Sequence, residues 1–295
     1  MQKYRNIFSP ATSEERTQNF ERYWLYTQEH DGEIIEKEKT LAVKKAILAD
    51  FQSNEVRSKQ PLVDPELFYR NHLNMKDDPK SLDRKTQLLT CIYKFARHEW
   101  VGISAAWDSI PSMAQAKSVT DKISRYHLCE EFCHVRLFHE MFRTFHLDKV
   151  EWIVPGKPTQ YFYKIFPRLP EKVMAGPAFL SELMGMTFYI HLHRLFDEIL
   201  EDEPEAKERL TALLQEIMVD ELAHIGQRRN FMGNFSVRMS KRIFRPLLLG
   251  FFRGIPEAKY LFNFDQMIEE GLAFDYNQMP EHLIKRSWVP TYCQV

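Results

Sequence analysis

The sequence predicts an all-α protein, and three observations carry that prediction. The chain of 295 residues contains only 10 glycines, where typical usage of about 7% would give roughly 20. Alternating runs of β-branched and aromatic residues, which are typical of strands, are scarce. Proline and glycine cluster at a few breaks, and the long segments between them show the apolar spacing of helices. We therefore expect one helical domain over residues 1–295.

Four long segments should form the core of this domain. They lie near residues 84–108, 118–147, 177–201 and 204–232. Pro177 and Pro204 suit the first turn of the third and fourth helices, because a first-turn residue needs no N–H. We expect the core at about 84–232, an N-terminal pair of helices near 13–31 and 33–52, and C-terminal helices over about 236–285.

Charge and cysteine usage exclude several classes of protein. Lys and Arg number 40 against 41 Asp and Glu, a net charge of −1, so we expect no nucleic acid as partner. The start "MQKYRNIFSP" has no apolar targeting core, and no run approaches the roughly 20 apolar residues of a membrane span, which predicts a cytoplasmic protein without a transmembrane segment. Cys91, Cys129, Cys133 and Cys293 form no C-x-x-C pair, so we expect reduced, mostly buried thiols.

Two core segments carry an acid and an imidazole one turn apart. The stretch "EEFCH" places Glu131 three residues before His134, and "DELAH" places Glu221 three residues before His224. Residues three apart share one face of a helix. A single Glu-x-x-His on a helix is weak evidence for a metal site, but here the motif occurs twice, at similar positions in two long helices.

The other two core segments carry one buried carboxylate each. Glu99 and Glu182 interrupt apolar stripes at helical spacing. Four carboxylates buried without compensation would cost many kcal/mol, and Arg and Lys are largely missing from these faces. Two divalent ions would balance the charge, and the two imidazoles would complete an oxygen and nitrogen ligand set that suits iron or manganese.

The order Glu, Glu-x-x-His, Glu, Glu-x-x-His on four successive helices resembles the ligand set of the ferritin-like di-iron carboxylate superfamily. The resemblance covers about residues 84–232 and implies an antiparallel four-helix bundle with a dinuclear metal site. The metal ligands, which would also be the catalytic groups, would be Glu99, Glu131, His134, Glu182, Glu221 and His224.

The chain's size, with helices at both ends, is most similar to the di-iron oxygenases and oxidases, including the arylamine N-oxygenases. This implies two iron ions (or manganese with iron), O₂, an external electron donor such as a reductase, and a small hydrophobic or aromatic substrate. One departure is Ile217, where those N-oxygenases have an additional ligand histidine. Fatty-acyl desaturases are also similar but have Arg where Cys133 and Ala223 stand. A non-catalytic iron- or manganese-binding bundle, of storage or ferroxidase type, is the other alternative.

Acids next to the ligands are candidates for orienting the histidines. Asp220 and Glu130 each precede a ligand glutamate, so they point about a quarter-turn away and can reach an imidazole N–H on the facing helix. We expect Asp220 to bond His134. For Glu130 a bond to His224 and an exposed position on the surface are equal alternatives. The remaining histidines that have no partner at ligand spacing are expected to be satisfied or exposed; these are His98, His127, His139 and His191.

The sequence also predicts a substrate pocket near the ligands and a basic helix after the core. Apolar side chains around the ligands suit a hydrophobic pocket, although a packed core explains them too; they are Phe95, Ile103, Phe138, Met186 and Tyr189. Residues 238–254 form a basic amphipathic stretch that could face an anionic substrate group, an acidic carrier protein or a membrane. A surface helix with solvated charges is the simpler interpretation. A homodimer is compatible with the sequence.

Overall fold

The computed structural model describes residues 3–31, 41–154 and 156–295, and these residues are all-helical. The fold class that the sequence predicts is confirmed at this level. An isolated bridge joins Tyr4 to Gln294. The α-helices of the described residues are α1 (Ser13–Asp31), α2 (Ala42–Ser53), α3 (Pro65–Asn71), α4 (Arg84–Trp107), α5 (Val119–Thr144), α6 (Lys157–Ile165), α7 (Glu171–Ile199), α8 (Pro204–Asn230), α9 (Asn234–Phe252), α10 (Ala258–Leu261), α11 (Phe264–Ala273) and α12 (Glu281–Lys285). The four cysteines are free, and three are buried.

The four longest helices pack on one another in the order α4, α5, α8, α7. Helices α4 and α7 close this arrangement through aromatic side chains: the rings of Phe95 and Phe188 stack with centroids 4.1 Å apart. Helices α1 and α2 pack against α5, while α9 and α11 pack against α7. The flanking helices therefore cover the outer faces of the four-helix core.

The boundaries of the core helices follow the predictions within three residues, with one exception. Helix α7 begins at Glu171, six residues before the predicted start, so Pro177 lies inside the helix. A proline at this position removes the hydrogen bond to the carbonyl of Val173. Val173 is exposed, so water can replace the missing donor. The signal for the true start is Pro170, which comes directly before the helix.

The flanking helices match the predictions in part. Helix α1 has the predicted bounds, and α2 covers the second part of the expected helix 33–52. Residues 33–40 of that prediction lie outside the described residues. Helix α9 buries Val237, Phe244 and Leu248 and leaves Lys241 and Arg242 exposed, as a surface helix with solvated charges should.

Helix α7 qualifies the expectation about membrane spans. Its segment Val173–Ile199 is long and apolar enough to cross a membrane by length and composition alone, with a hydropathy of 1.2. Of its most apolar window, 61% is buried inside the structure. The core helix of a helical bundle meets the same composition test, so this segment is weak evidence for a membrane span.

Two glycines test how tightly the flanking helices pack. A Cβ on Gly271 would lie 2.6 Å from ring carbons of Phe244, whose side chain is fully buried. Around Gly250, in the exposed part of α9, no described atom lies within 4 Å of the added Cβ. We expect Gly271→Ala to lower the free energy of unfolding by about 1–3 kcal/mol through overpacking. Gly250→Ala should raise it by about 0.5–1 kcal/mol.

Urea unfolding followed by circular dichroism measures both effects on the same protein. The two substitutions add the same methyl group to a helical glycine, so opposite signs isolate the packing contribution. Equal free energies of unfolding for the two variants would contradict the close contact between α11 and α9.

Candidate metal centre

Six carboxylate and imidazole side chains converge between the four long helices. They are Glu99 on α4, Glu131 and His134 on α5, Glu182 on α7, and Glu221 and His224 on α8. Each of the four helices therefore contributes a carboxylate to one buried cluster, and α5 and α8 add one imidazole each. These are the side chains that the sequence singled out as candidate metal ligands.

The cluster divides into two overlapping groups that share Glu131. The donor atoms of each group lie within 4.8 Å of one another; the groups are His127, Glu131, Glu182 and His224, and Glu99, Glu131 and His134. Glu221 reaches toward both groups, since its oxygens lie 3.4 Å from His134 Nδ1 and 3.8 Å from His224 Nδ1. The two groups are therefore adjacent and have one carboxylate in common.

Unpaired buried atoms show that these residues fit a metal ion. His134 Nδ1, His224 Nδ1 and Glu99 Oε2 are buried and have no hydrogen-bond partner within the described part of the chain. Buried polar atoms are almost always paired in proteins. Two ligand atoms bound at about 2.1 Å and at right angles lie about 3.0 Å apart, and His224 Nδ1 lies 3.2 Å from Glu131 Oε1. His224 Nδ1 and Glu131 Oε1 are thus spaced as two ligands of one ion would be.

Two acids outside the cluster orient the histidines, in the pairing that the sequence predicts. His134 Nε2 lies 3.0 Å from Asp220 Oδ2 and donates to it. His224 Nε2 lies 2.9 Å from Glu130 Oε2 and donates likewise. Because Nε2 makes these bonds, Nδ1 of each ring faces the cluster, and loss of its proton would leave a lone pair available for a metal.

Lys44 connects the two orienting acids, a contact that helical periodicity does not predict. Its Nζ lies 3.0 Å from Glu130 Oε1 and also donates to Asp220 Oδ1. Lys44 lies on α2, outside the four-helix core. Its charge and the bond from His134 outweigh the effect of burial and hold the pKa of Asp220 below its usual value. One cation of a flanking helix therefore fixes the acceptors of both ligand histidines.

Two carboxyls of the cluster hold protons when no metal is bound. Burial, with the charges of Glu131 and Glu182, raises the pKa of Glu221 to about 8. Burial also raises the pKa of Glu99 well above its usual value, together with the charges of Glu131 and Glu221. A pKa of about 8 leaves Glu221 mostly protonated near pH 7, and the pKa of Glu99 is shifted in the same direction.

The histidines hold protons as well. Burial lowers the pKa of an imidazole, but the hydrogen bond of His134 to Asp220 and the nearby carboxylate of Glu131 outweigh it and raise the pKa of His134 well above its usual value. The hydrogen bond to Glu130 and the nearby carboxylate of Glu131 do the same for the pKa of His224. Two imidazolium groups then face the remaining two carboxylates of the cluster. Two divalent ions can replace four protons here without a change in net charge.

His127, which the sequence analysis placed among satisfied or exposed histidines, is buried beside the cluster. Its Nε2 lies 3.1 Å from Glu131 Oε1 and 3.4 Å from Glu182 Oε1. Its ring stacks on that of His224, with centroids 3.8 Å apart. The spacing of 127, 131 and 134 places all three on one face of α5. This spacing on one helix face could have indicated His127 from the sequence, although the Glu-x-x-His motif does not include it.

A cavity of about 270 Å³ opens onto the cluster between α4, α5, α6 and α7. Phe95 and Ile103 line it, as predicted, whereas Phe138, Met186 and Tyr189 are fully buried in the core and do not. Helical spacing identifies an inward face but cannot separate a cavity wall from a packed core. Small residues provide much of the space; they are Gly102, Ala106, Ala178 and Gly185. The hydroxyl of Tyr189 instead donates to Glu99.

Polar side chains lie at a few points of the cavity wall. The hydroxyl of Tyr163 lies 2.9 Å from His98 Nδ1. Burial lowers the pKa of His98 to about 4 and raises that of Tyr163 to about 12, so both are neutral near pH 7. Arg228 Nε is buried 3.6 Å from Glu182 Oε1. A molecule in the cavity would meet apolar walls and these three polar groups.

Comparisons with known proteins identify no relative of this chain. No family model matches the chain, and no match was found among curated proteins or solved structures. The findings show a mostly helical protein in which buried acids and histidines could form a metal site.

Metal binding to this cluster should release protons. Near pH 7 we expect about four protons for every two Co(II) or Zn(II) ions, one each from Glu99, Glu221, His134 and His224. Titration with a pH indicator in weakly buffered solution measures this number. Metal uptake without proton release would contradict the protonation pattern of the cluster.

Glu221 should make the metal-free protein less stable as the pH rises. Its folded-state pKa is raised, so between about pH 4.5 and 8 the unfolded chain loses a proton that the folded protein keeps. The sign is therefore a loss of stability with rising pH. Glu221→Gln should raise the free energy of unfolding of metal-free protein by the order of 2 kcal/mol near pH 8 and have little effect near pH 4.

The same variant should also lose most of the stabilisation that metal gives the parent protein, because a neutral amide replaces a ligand carboxylate. Thermal melts with and without Zn(II) at both pH values test the two effects together. A variant that is less stable than the parent at pH 8 without metal would remove Glu221 from the buried cluster.

Proposed function

We propose that the chain is an O₂-dependent di-iron oxygenase or oxidase with a ferritin-like four-helix core. The supporting observation is the cluster of four carboxylates and two imidazoles, which has buried, unpaired donor atoms and lies beside a cavity. Buried charges of this kind are compensated by protons in the metal-free protein and by cations when metals are bound.

The two groups of the cluster suggest which residues would hold each ion. Glu99 and His134 would hold one ion, while Glu182 and His224 would hold the other. Glu131, which belongs to both groups, would bridge, and Glu221 lies close enough to both histidines to do the same. Carboxylate and imidazole ligands suit iron and manganese.

Bound iron(II) would supply electrons to O₂, and an external donor would restore them. The chain's own residues would position and shield this reaction. Asp220 and Glu130 fix the ring orientation of the ligand histidines, and Tyr189 holds one oxygen of Glu99. The cluster is largely buried and the cavity opens onto it, so a molecule bound in the cavity would lie beside the metals.

The cavity supports a small organic substrate. Its volume of about 270 Å³ and its mostly apolar walls suit a hydrophobic or aromatic molecule. His98 with Tyr163 can exchange hydrogen bonds with such a molecule, and Arg228 can face an acidic group on it. An iron-storage role would leave this cavity without a function.

Anaerobic loading with Fe(II), followed by O₂, tests the proposed function. We expect uptake of two iron ions per chain, a transient visible absorption band, and repeated O₂ consumption while a reductant is supplied. Continued iron uptake with growth of a mineral would instead indicate storage. Failure to bind iron would remove both interpretations.

Asp220→Asn separates the orienting acid from the ligands. The six proposed ligands remain, so the variant should still bind two metals at saturation. An imidazole without its carboxylate partner is a weaker and less well-aimed ligand, and such losses are about 10–100-fold in affinity or activity. We expect the rate of Fe(II) oxidation by O₂ to fall by that factor. His134→Ala should instead lose metal, and an Asp220→Asn protein that reacts at the parent rate would show that the hydrogen bond has no role.

A further inference from the structure

We propose that His127 is a third imidazole ligand, so that one ion of the dinuclear centre is held by two histidines and the other by one. This inference rests on the proposed metal centre and adds to the six ligands already assigned. The second ion would be held by His127, Glu182 and His224, with Glu131 as the bridge. The two ions would then be chemically different.

The distances around His127 are those of neighbouring ligands on one ion. His127 Nε2 lies 3.1 Å from Glu131 Oε1, and His224 Nδ1 lies 3.2 Å from the same oxygen. The distance from His127 Nε2 to Glu182 Oε1 is 3.4 Å. Ligands at right angles around an ion with bonds of about 2.1 Å are about 3.0 Å apart. His127 therefore stands in the same relation to the bridging carboxylate as His224 does.

A role for His127 as a mere hydrogen-bond donor fits the metal-free protein but not the metal-bound one. Without metal, an N–H on Nε2 donates to Glu131. Once the oxygens of Glu131 and Glu182 bind a cation, that N–H would point at the positive charge. Moving the proton to Nδ1 removes this repulsion and turns the Nε2 lone pair toward the ion. The position of the ring thus favours ligation when metal is present.

His127 differs from the other two histidines because no carboxylate bonds its second ring nitrogen. His134 and His224 are anchored through Nε2 by Asp220 and Glu130. His127 Nδ1 is buried and has no hydrogen-bond partner among the described residues. Its ring also lines the cavity. A ligand without an anchoring carboxylate is a weaker base and is more easily displaced, so His127 would be the replaceable ligand on the side where the substrate binds.

Proton NMR of the di-cobalt(II) protein counts imidazole ligands directly. Cobalt(II) shifts the ring N–H proton of each bound histidine far outside the usual range, and these signals disappear in D₂O. At low temperature, where exchange is slow, we expect three such signals from the parent protein and two from His127→Gln. His139→Gln is the matched control, because His139 lies on the same helix with its Nε2 3.3 Å from the carbonyl of Val150; it should keep all three signals.

X-ray absorption of the same samples gives a second measure that does not depend on proton exchange. The scattering from imidazole rings should correspond to three rings per two cobalt ions in the parent and in His139→Gln, and to two in His127→Gln. Identical scattering from the parent and His127→Gln would overturn the proposal.

The outcomes separate this inference from the proposed function. Two bound cobalt ions with two imidazoles in every sample would leave the six-ligand centre standing and exclude His127. No cobalt binding by the parent protein would reject the metal centre itself, and with it the role of His127. Loss of one ion from His127→Gln, with the parent showing three imidazoles, would also support the proposal.

Discussion

The structure depends on one electrostatic constraint: four carboxylates lie at the centre of four packed helices, two of them buried and two half-buried. Their charge must be compensated in place, because the surrounding faces carry few cations and burial makes an isolated charge expensive. Protons on Glu99, Glu221 and the two histidines do this in the absence of metal. The positions of the helices, the orienting acids and the flanking lysine can all be understood as ways of holding these charges at fixed distances.

The positions of the acids and histidines on the inward face of each helix could be predicted from the sequence. Acids within apolar stripes must face inward, so Glu99 and Glu182 were identified without any knowledge of the packing. A Glu-x-x-His pair on each of two helices defines the inward face of both, and the preceding acids then point toward the facing helix. That local geometry was enough to anticipate the bond between His134 and Asp220.

The remaining features of the site could not be predicted, because they depend on contacts between distant parts of the chain or on details of packing that helical periodicity does not describe. Lys44 bonds an acid 176 residues away in the sequence, and nothing local marks it for that role. His127 has no counterpart on α8, so a search for matched motifs passed over it. Phe138 shares the inward face with Phe95 but packs in the core, while Phe95 lines the cavity.

Lys44 links the flanking helix α2 to the proposed metal centre. Its ammonium group contacts Glu130 and Asp220, and these two acids bond the rings of His224 and His134, so α2 and the cluster share a set of hydrogen bonds. If the cluster binds metal as proposed, thermodynamic linkage requires that docking of α2 strengthens metal binding and that metal strengthens docking of α2 by the same free energy. Helix α2 would then report whether the centre is filled, although none of its residues is among the proposed ligands.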